Sequence, residues 1–308
     1  MSTPFELEAA GLNYSYGDTP VIQDLTMRVP HGQVYGFLGR NGAGKSTVMK
    51  ILLGLLKPAS GQIAFQGRII DPGAASYLDR VGSLIEEPSF YPNLTGAENI
   101  RYISKLREST AQDTQLLDLV GLSSQAANKK AGEYSLGMKQ RLGIALALVG
   151  DPQLLLLDEP TNGLDPEGIR EMRNLIRYFS RELGKTVVVS SHILSEIEQL
   201  ADTVGIIHQG RMRYEGNLHD LSGTPSLLLD TMDGAATTEV LSLGNIPFTA
   251  VTHERFSLPY HGRSQTAQLV SWLVGQSVQI ASVSVNERTL EDSFLEITEE
   301  DYVEVGSK

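Results

Sequence analysis

Val34-Tyr35-Gly36-Phe37-Leu38-Gly39-Arg40-Asn41-Gly42-Ala43-Gly44-Lys45-Ser46-Thr47 is an apolar run that breaks into a glycine-rich turn. Val34–Leu38 reads as a buried strand. Lys45–Leu56 then has helical apolar spacing and is stopped by Lys57-Pro58. Strand, glycine-rich turn and helix open a nucleotide-binding α/β unit. The turn fits the pattern G-x-x-x-x-G-K-[ST] from Gly39 to Ser46. Glycines let backbone N–H groups converge on phosphates, and the helix N-terminus adds its positive end. Gly39, Asn41, Gly42, Ala43 and Gly44 are therefore expected to form the cradle. Lys45 is expected on the β- and γ-phosphates, Ser46 on Mg²⁺ and Thr47 on the α-phosphate.

A second unit begins at Leu154–Leu157, an uninterrupted apolar strand of the kind buried in a parallel sheet. It runs into Asp158-Glu159-Pro160. An aspartate at a strand end stands beside the metal site, in the Walker B role, so Asp158 is assigned to Mg²⁺. Glu159 follows and is expected to polarise the attacking water. Val81–Ile85, Thr186–Val189 and Val204–Ile207 read as further strands. His192, just beyond Thr186–Val189, is expected to contact the γ-phosphate from a neighbouring strand end. Between the two units, roughly Pro92 to Gly150 is mostly helical, and Thr95 with Glu98 forms a capping box. Asp165 and Pro166 fit the N-cap and first position of a helix through Leu183.

The character changes near Asn217–Pro225. Beyond it lie two short strands, Ser226–Asp230 and Phe248–Thr252, an amphipathic helix around Thr266–Val274, and a last helix near Leu290–Ile297. This reads as a small α+β appendage, giving expected domains 1–221 and 222–308. The chain has 308 residues, 41% hydrophobic and 20% charged, which marks a globular protein. A net charge of −12 argues against a nucleic-acid partner and against docking on anionic lipid by charge alone. The absence of cysteine excludes disulfides, thiolate metal sites and cysteine catalysis. Met1–Ala10 lacks the pattern of a secretory signal, and no apolar run nears the roughly 20 residues that span a bilayer. Any membrane role is expected to come through a partner.

The order of these motifs resembles ABC transporter ATPases from about Phe5 to Leu221. Tyr134-Ser135-Leu136-Gly137-Met138-Lys139-Gln140-Arg141 is similar to the family signature, and Asn162-Gly163-Leu164-Asp165 to its D-loop. His192 resembles the switch histidine. Tyr16 resembles the aromatic that stacks on adenine, with Tyr14 as the alternative and core packing open to either. The resemblance implies a P-loop ABC ATPase core of α/β class, a helical subdomain at about 92–150 and the C-terminal appendage. It implies ATP and Mg²⁺, a separate integral-membrane permease, and a second ATPase subunit bound head to tail. Ser135 and the backbone of Gly137 would complete the γ-phosphate site of that second subunit, with helix capping as the plainer role of Ser135, and Asp165 of the D-loop is expected among the nucleotide-binding residues. Residence on the cytoplasmic face of the membrane follows from the permease.

Three positions depart from the family pattern. Leu136 replaces a glycine, so this position needs no positive φ. Met138 replaces a glutamine and has no polar group for the ribose. Glu86 stands where most members carry glutamine; it remains an oxygen ligand for Mg²⁺ but adds charge and loses a donor. Leu84-Ile85-Glu86-Glu87-Pro88 with Tyr91–Thr95 resembles the corresponding loop in transporters for bacitracin and lantibiotic peptides. Thr289–Thr298 resembles a tail motif of export-type ATPases, though Leu290, Phe294 and Ile297 on one helical face fit core packing equally. Alternatives of other classes are a soluble ABC ATPase of translation or repair and a regulatory, non-hydrolysing cassette. A single phosphate loop without a long heptad stretch disfavours the first; Glu159 and His192 disfavour the second.

Overall fold

Every residue from Leu154 to Asp158 is buried, as expected of a strand covered on both faces. Alternate side chains enter different cores: Leu154 and Leu156 join one cluster, Leu155 and Leu157 another. The computed structural model describes residues 4–70, 75–109, 113–221, 225–286, 294–295 and 297. The chain forms two compact units, Met1–Leu218 and His219–Lys308.

The first unit opens with two long strands, β1 (Phe5–Tyr16) and β2 (Thr19–Pro30), then β3 (Val34–Leu38) and α1 (Lys45–Leu52). Next come β4 (Ser60–Phe65), β5 (Arg68–Ile70) and β6 (Val81–Leu84). Four helices follow: α2 (Gly96–Leu106), α3 (Asp113–Leu119), α4 (Ser124–Ala127) and α5 (Leu136–Ala147). The unit ends with β7 (Leu154–Asp158), α6 (Pro166–Arg181), β8 (Thr186–Ser191), α7 (Leu194–Leu200), β9 (Thr203–His208) and β10 (Arg211–Asn217). The main sheet has the order β10-β9-β3-β8-β7-β6. Its strands pair in parallel except for the antiparallel β10. A separate antiparallel sheet, β2-β1-β4-β5, shares a core with α1 and one face of the main sheet, through Leu25, Met49 and Phe37. The other core joins α2, α5 and α6 through Ile100, Leu142 and Phe179.

The capping box is present: Glu98 N–H donates to Thr95 Oγ1, and Thr95 N–H to Glu98 Oε2 at 2.8 Å. Asp165 caps α6 by accepting the Gly168 N–H at 2.9 Å, with Pro166 in the first turn. The expected helix to Leu56 is corrected. α1 stops at Leu52, because Gly54 takes a left-handed conformation (φ 68°) and turns the chain before Lys57-Pro58 is reached. The antiparallel sheet built on β1 and β2 is not among the strands expected from the sequence.

The second unit contains α8 (Leu218–Leu221, at the junction), β11 (Ser226–Thr231), α9 (Gly234–Leu243), β12 (Thr249–Ala250), β13 (Arg255–Pro259), α10 (Arg263–Gly275) and β14 (Ile280–Asn286). Its sheet has the order β12-β13-β11-β14, all antiparallel. Leu227 and Leu229 of β11 face Leu258 and Phe256 of β13 and pack with Leu241 and Leu273 of the helices. The expected strand Phe248–Thr252 shrinks to Thr249–Ala250, and Phe248 instead packs edge-on to Phe256. Most of the last expected helix, Leu290–Ile297, lies outside the described residues. No helix among the described residues is long and apolar enough to cross a membrane.

Candidate nucleotide site

Strands β3, β7, β8 and β6 all present their C-terminal ends at one edge of the main sheet, where ligands of open α/β folds bind. β3 leads into the glycine turn. Gly44 (φ 110°) caps α1 in a left-handed conformation, and a Cβ there would meet Ile22 Cδ1 at 2.6 Å. A Cβ on Gly39 would meet the Ile207 carbonyl oxygen at 2.7 Å, so neither position admits a larger residue unstrained. Gly42 (φ 80°) faces open space instead, which leaves its backbone accessible.

A cavity of about 900 Å³ opens over this turn. Asn41, Gly42, Gly44, Lys45, Ser46 and Thr47 line it from the loop and α1. Asp158, Glu159, His192 and Glu86 line it from the strand ends. These ten expected site residues converge although they come from four separate segments. Gly39 and Ala43 do not line the cavity; they hold the loop from behind. The Gly39 carbonyl accepts from Lys45 Nζ at 2.7 Å, and the buried Ala43 accepts the Gly210 N–H at 3.0 Å. Tyr16 also stands off the lining. It is half exposed at the end of β1 and meets Tyr14 edge-on, with ring centroids 4.9 Å apart. Tyr14 packs against the core, so of the two tyrosines Tyr16 is the freer.

Glu159 sits at the centre of the charged groups. Its Oε1 lies 3.2 Å from the buried Lys45 Nζ, and its Oε2 lies 2.5 Å from His192 Nδ1. Glu159 takes a left-handed conformation (φ 49°), which for a non-glycine residue is sparsely populated and sharply redirects the chain leaving β7. Ser190 stitches β8 to β7. It donates to Asp158 Oδ1 at 2.5 Å and accepts the Glu159 N–H at 2.9 Å. Ser190 was not singled out in the sequence, because its role depends on strands distant in the chain being neighbours.

Glu86 is also left-handed (φ 59°) and exposed. Its Oε1 accepts from Lys50 Nζ at 2.5 Å. This hydrogen bond holds the Lys50 ammonium above the usual lysine range, against the opposing effect of desolvation. The pair joins α1 to the loop after β6. Lys50 lies four residues, about one turn, beyond Ser46 on α1, and helical spacing from Ser46 could have nominated it.

The remaining expected residues lie apart. Ser135, Gly137 and Asp165 line a second hollow of about 600 Å³, with Arg141 and Glu171. Ser135 caps α5 by accepting the Met138 N–H at 3.3 Å. Leu136 and Gly163 border both openings. Leu136 is 47% exposed in the first turn of α5 and is not among the residues of positive φ, as its substitution for glycine requires.

A family model described as "ABC transporter" matches residues 22–162. The chain is 38% identical to the bacitracin transport ATP-binding protein BcrA of Enterococcus faecalis, covering 96% of both chains. It is 46% identical to the lantibiotic transport ATP-binding protein SrtF of Streptococcus pyogenes, over 70% of this chain and 95% of that one. Among solved structures, cbiO1 from Clostridium perfringens, part of the ABC transporter complex cbiONQ, superposes with a TM-score of 0.65. That match is 29% identical and covers 71% of this chain and 91% of the other.

Proposed function

The chain belongs to the ATP-binding subunits of ABC transporters, and on that premise we propose that it powers a separate membrane permease in export of, or resistance to, a peptide antibiotic. It binds and hydrolyses ATP. The observation that carries the reading of the site is Glu159, held between Lys45 and His192 at the mouth of the phosphate loop. In this reading Lys45 neutralises phosphate charge, Glu159 orients the attacking water and His192 contacts the γ-phosphate. Gly39, Asn41, Gly42, Ala43, Gly44 and Thr47 form the cradle, and Tyr16 stacks on the base.

Magnesium fits the donor set. The Ser46 hydroxyl and the Asp158 carboxylate are hard oxygen donors lining one cavity, and Asp158 retains Oδ2 beyond its Ser190 bond. Bound there, the ion neutralises charge that develops on the β- and γ-phosphates. Glu86, whose Oε1 accepts from Lys50, could add a third oxygen through Oε2.

Ser135, Gly137 and Asp165 serve a second ATPase subunit. The separate hollow they line supports this, since no phosphate-loop residue lines it. The cassette is assigned to residues 1–221 and the accessory domain to 222–308. Peptide antibiotics are favoured because similarity to the bacitracin transport proteins runs through the accessory region as well as the cassette. The subunit then works at the inner membrane face, held there by its permease.

The test is bacitracin tolerance in a sensitive bacterium expressing this chain, its permease, or both. Protection should need both proteins and disappear with Glu159→Gln. The chain should reach the membrane fraction only with the permease. Protection by the permease alone, or no protection by the pair, contradicts the assignment.

A further inference from the structure

We propose that Glu196 is a positioning residue for ATP hydrolysis, tying the segment that bears Glu159 to the segment that bears His192. The inference rests on the roles just given to those two residues.

Glu196 lies on α7 and is 7% exposed. Burying a carboxylate is costly unless hydrogen bonds replace water, so an acid at such a place needs partners. Its partners are two hydroxyls that converge on one oxygen. Thr161 Oγ1 donates to Oε2 at 2.6 Å, and Ser191 Oγ donates to the same atom at 3.3 Å. Both hydroxyl residues are themselves buried.

The positions of those partners give the arrangement its meaning. Thr161 follows Glu159 by two residues, across Pro160. Ser191 immediately precedes His192. Ser191 is held further, since its carbonyl accepts the Gly39 N–H at 3.3 Å and its Oγ accepts the Ile193 N–H at 2.9 Å. Strands β7 and β8 are thus joined twice. Ser190 joins them at Asp158 and the Glu159 backbone; Glu196 joins the chain that leaves them. The second tie matters because Glu159 is left-handed, so the direction of its side chain depends on where the following residues are anchored.

Glu196 is buried, lines neither hollow and has its carboxylate engaged by Thr161 and Ser191, so it acts on the site through other residues. Its effect passes through the spacing of Glu159 Oε2 and His192 Nδ1. Misplacing a reacting group by about 1 Å can cost on the order of 100-fold in rate.

The test uses the full chain and three readouts: kcat, ATP affinity by nucleotide titration, and melting temperature. Glu196→Ala should lower kcat by about 10- to 100-fold, the range seen when a supporting hydrogen-bond partner is lost. ATP affinity should stay near the parent's, because the phosphate loop is untouched. Glu196→Gln keeps an acceptor oxygen and should recover most of kcat. Thr161→Val, which removes one hydroxyl and keeps the shape, should lower kcat in the same sense. Combined with Glu196→Ala it should add little, as expected of residues acting as one unit. If Glu196→Ala does not fold, Thr161→Val and Glu196→Gln carry the comparison.

Parent-level kcat in Glu196→Ala or in Thr161→Val overturns the proposal. So do parallel losses of kcat, affinity and melting temperature with no recovery by glutamine, which mark a purely structural acid. Glu159→Gln, measured alongside, separates the two levels. A dead Glu159→Gln with a normal Glu196→Ala removes only the positioning role. A normal Glu159→Gln removes the catalytic reading beneath it.

Discussion

Lys45 is buried and its ammonium is shared between the Gly39 carbonyl and Glu159. An incoming phosphate chain exchanges these partners for oxygens of higher charge. A hydrogen bond to a charged group contributes about 1.5–3 kcal/mol, so Lys45→Ala should weaken ATP binding about 10- to 100-fold. Nucleotide titration checks this, and unchanged affinity would remove Lys45 from the phosphate site. Glu86 is a different case. Its side chain is 61% exposed in its pair with Lys50, and exposed pairs contribute only about 0–1 kcal/mol. Little holds it in place, and we propose that it changes partners when ATP arrives. Glu86→Gln removes the charge and should change the permease-stimulated ATPase rate more than the basal rate. Measured side by side, equal effects on the two rates would deny Glu86 a part in coupling. At this scale the sequence is legible where chemistry is written in short spacing, as from Gly39 to Thr47 and at Asp158-Glu159. Lys50 with Glu86, and Glu196 with Thr161, stayed hidden because their partners lie 36 and 35 residues away along the chain.

Short apolar runs could be read as buried strands, and β3, β7, β8 and β9 lie where those runs placed them. Caps were equally readable, since Thr95 with Glu98 and Asp165 with Pro166 act over three residues. The overrun of α1 has a simple cause: Leu53, Leu55 and Leu56 continue the apolar content while Gly54 breaks the backbone. β1 and β2 escaped notice for another reason. Their pairing shifts register repeatedly, with Gly11 left-handed inside β1, so no steady two-residue alternation survives. In the second unit the cross-strand pair Asp230–Arg255 links β11 to β13, with Arg255 Nε 2.6 Å from Asp230 Oδ1. The Arg255 guanidinium, aided by the Ser282 hydroxyl, lowers Asp230 from an ordinary 3.8 to about 2. A depressed carboxylate contributes stability above its unfolded value, and the contribution is lost as pH falls through the folded one. Asp230→Asn should therefore be less stable than the parent at neutral pH, and the gap should close as pH falls from about 4 toward 2. Trp272 on α10 is the only tryptophan of the chain, so its fluorescence during urea unfolding reports on this unit. A gap that persists unchanged to low pH would show that the pair does not act through charge.

Two cores, one on each face of the main sheet, hold the first unit, and both reach the strand ends that carry the site. Strand ends thus carry Asp158 and lead directly to His192, while Glu159 and Glu86 sit at left-handed turns just beyond theirs. Ser135 and Gly137 open on a hollow that no phosphate-loop residue lines, while Leu136, Lys139 and Gln140 of the same stretch face the phosphate-loop cavity. The boundary between the two compact units, after Leu218, falls in the stretch Asn217–Pro225 where the character of the sequence changes. The appendage itself was read less fully, because α9, β13 and β14 carry no motif and gain their meaning only as partners of β11. The central claim is that ATP is cleaved at this cavity with Glu159 positioning the water. The measurement that tests it most directly is ATP hydrolysis by full-length Glu159→Gln, with bound ATP quantified in the same samples. General-base assistance contributes about 10²- to 10⁴-fold, so turnover should fall by that factor while ATP remains bound. Turnover near the parent rate in this variant would contradict the account.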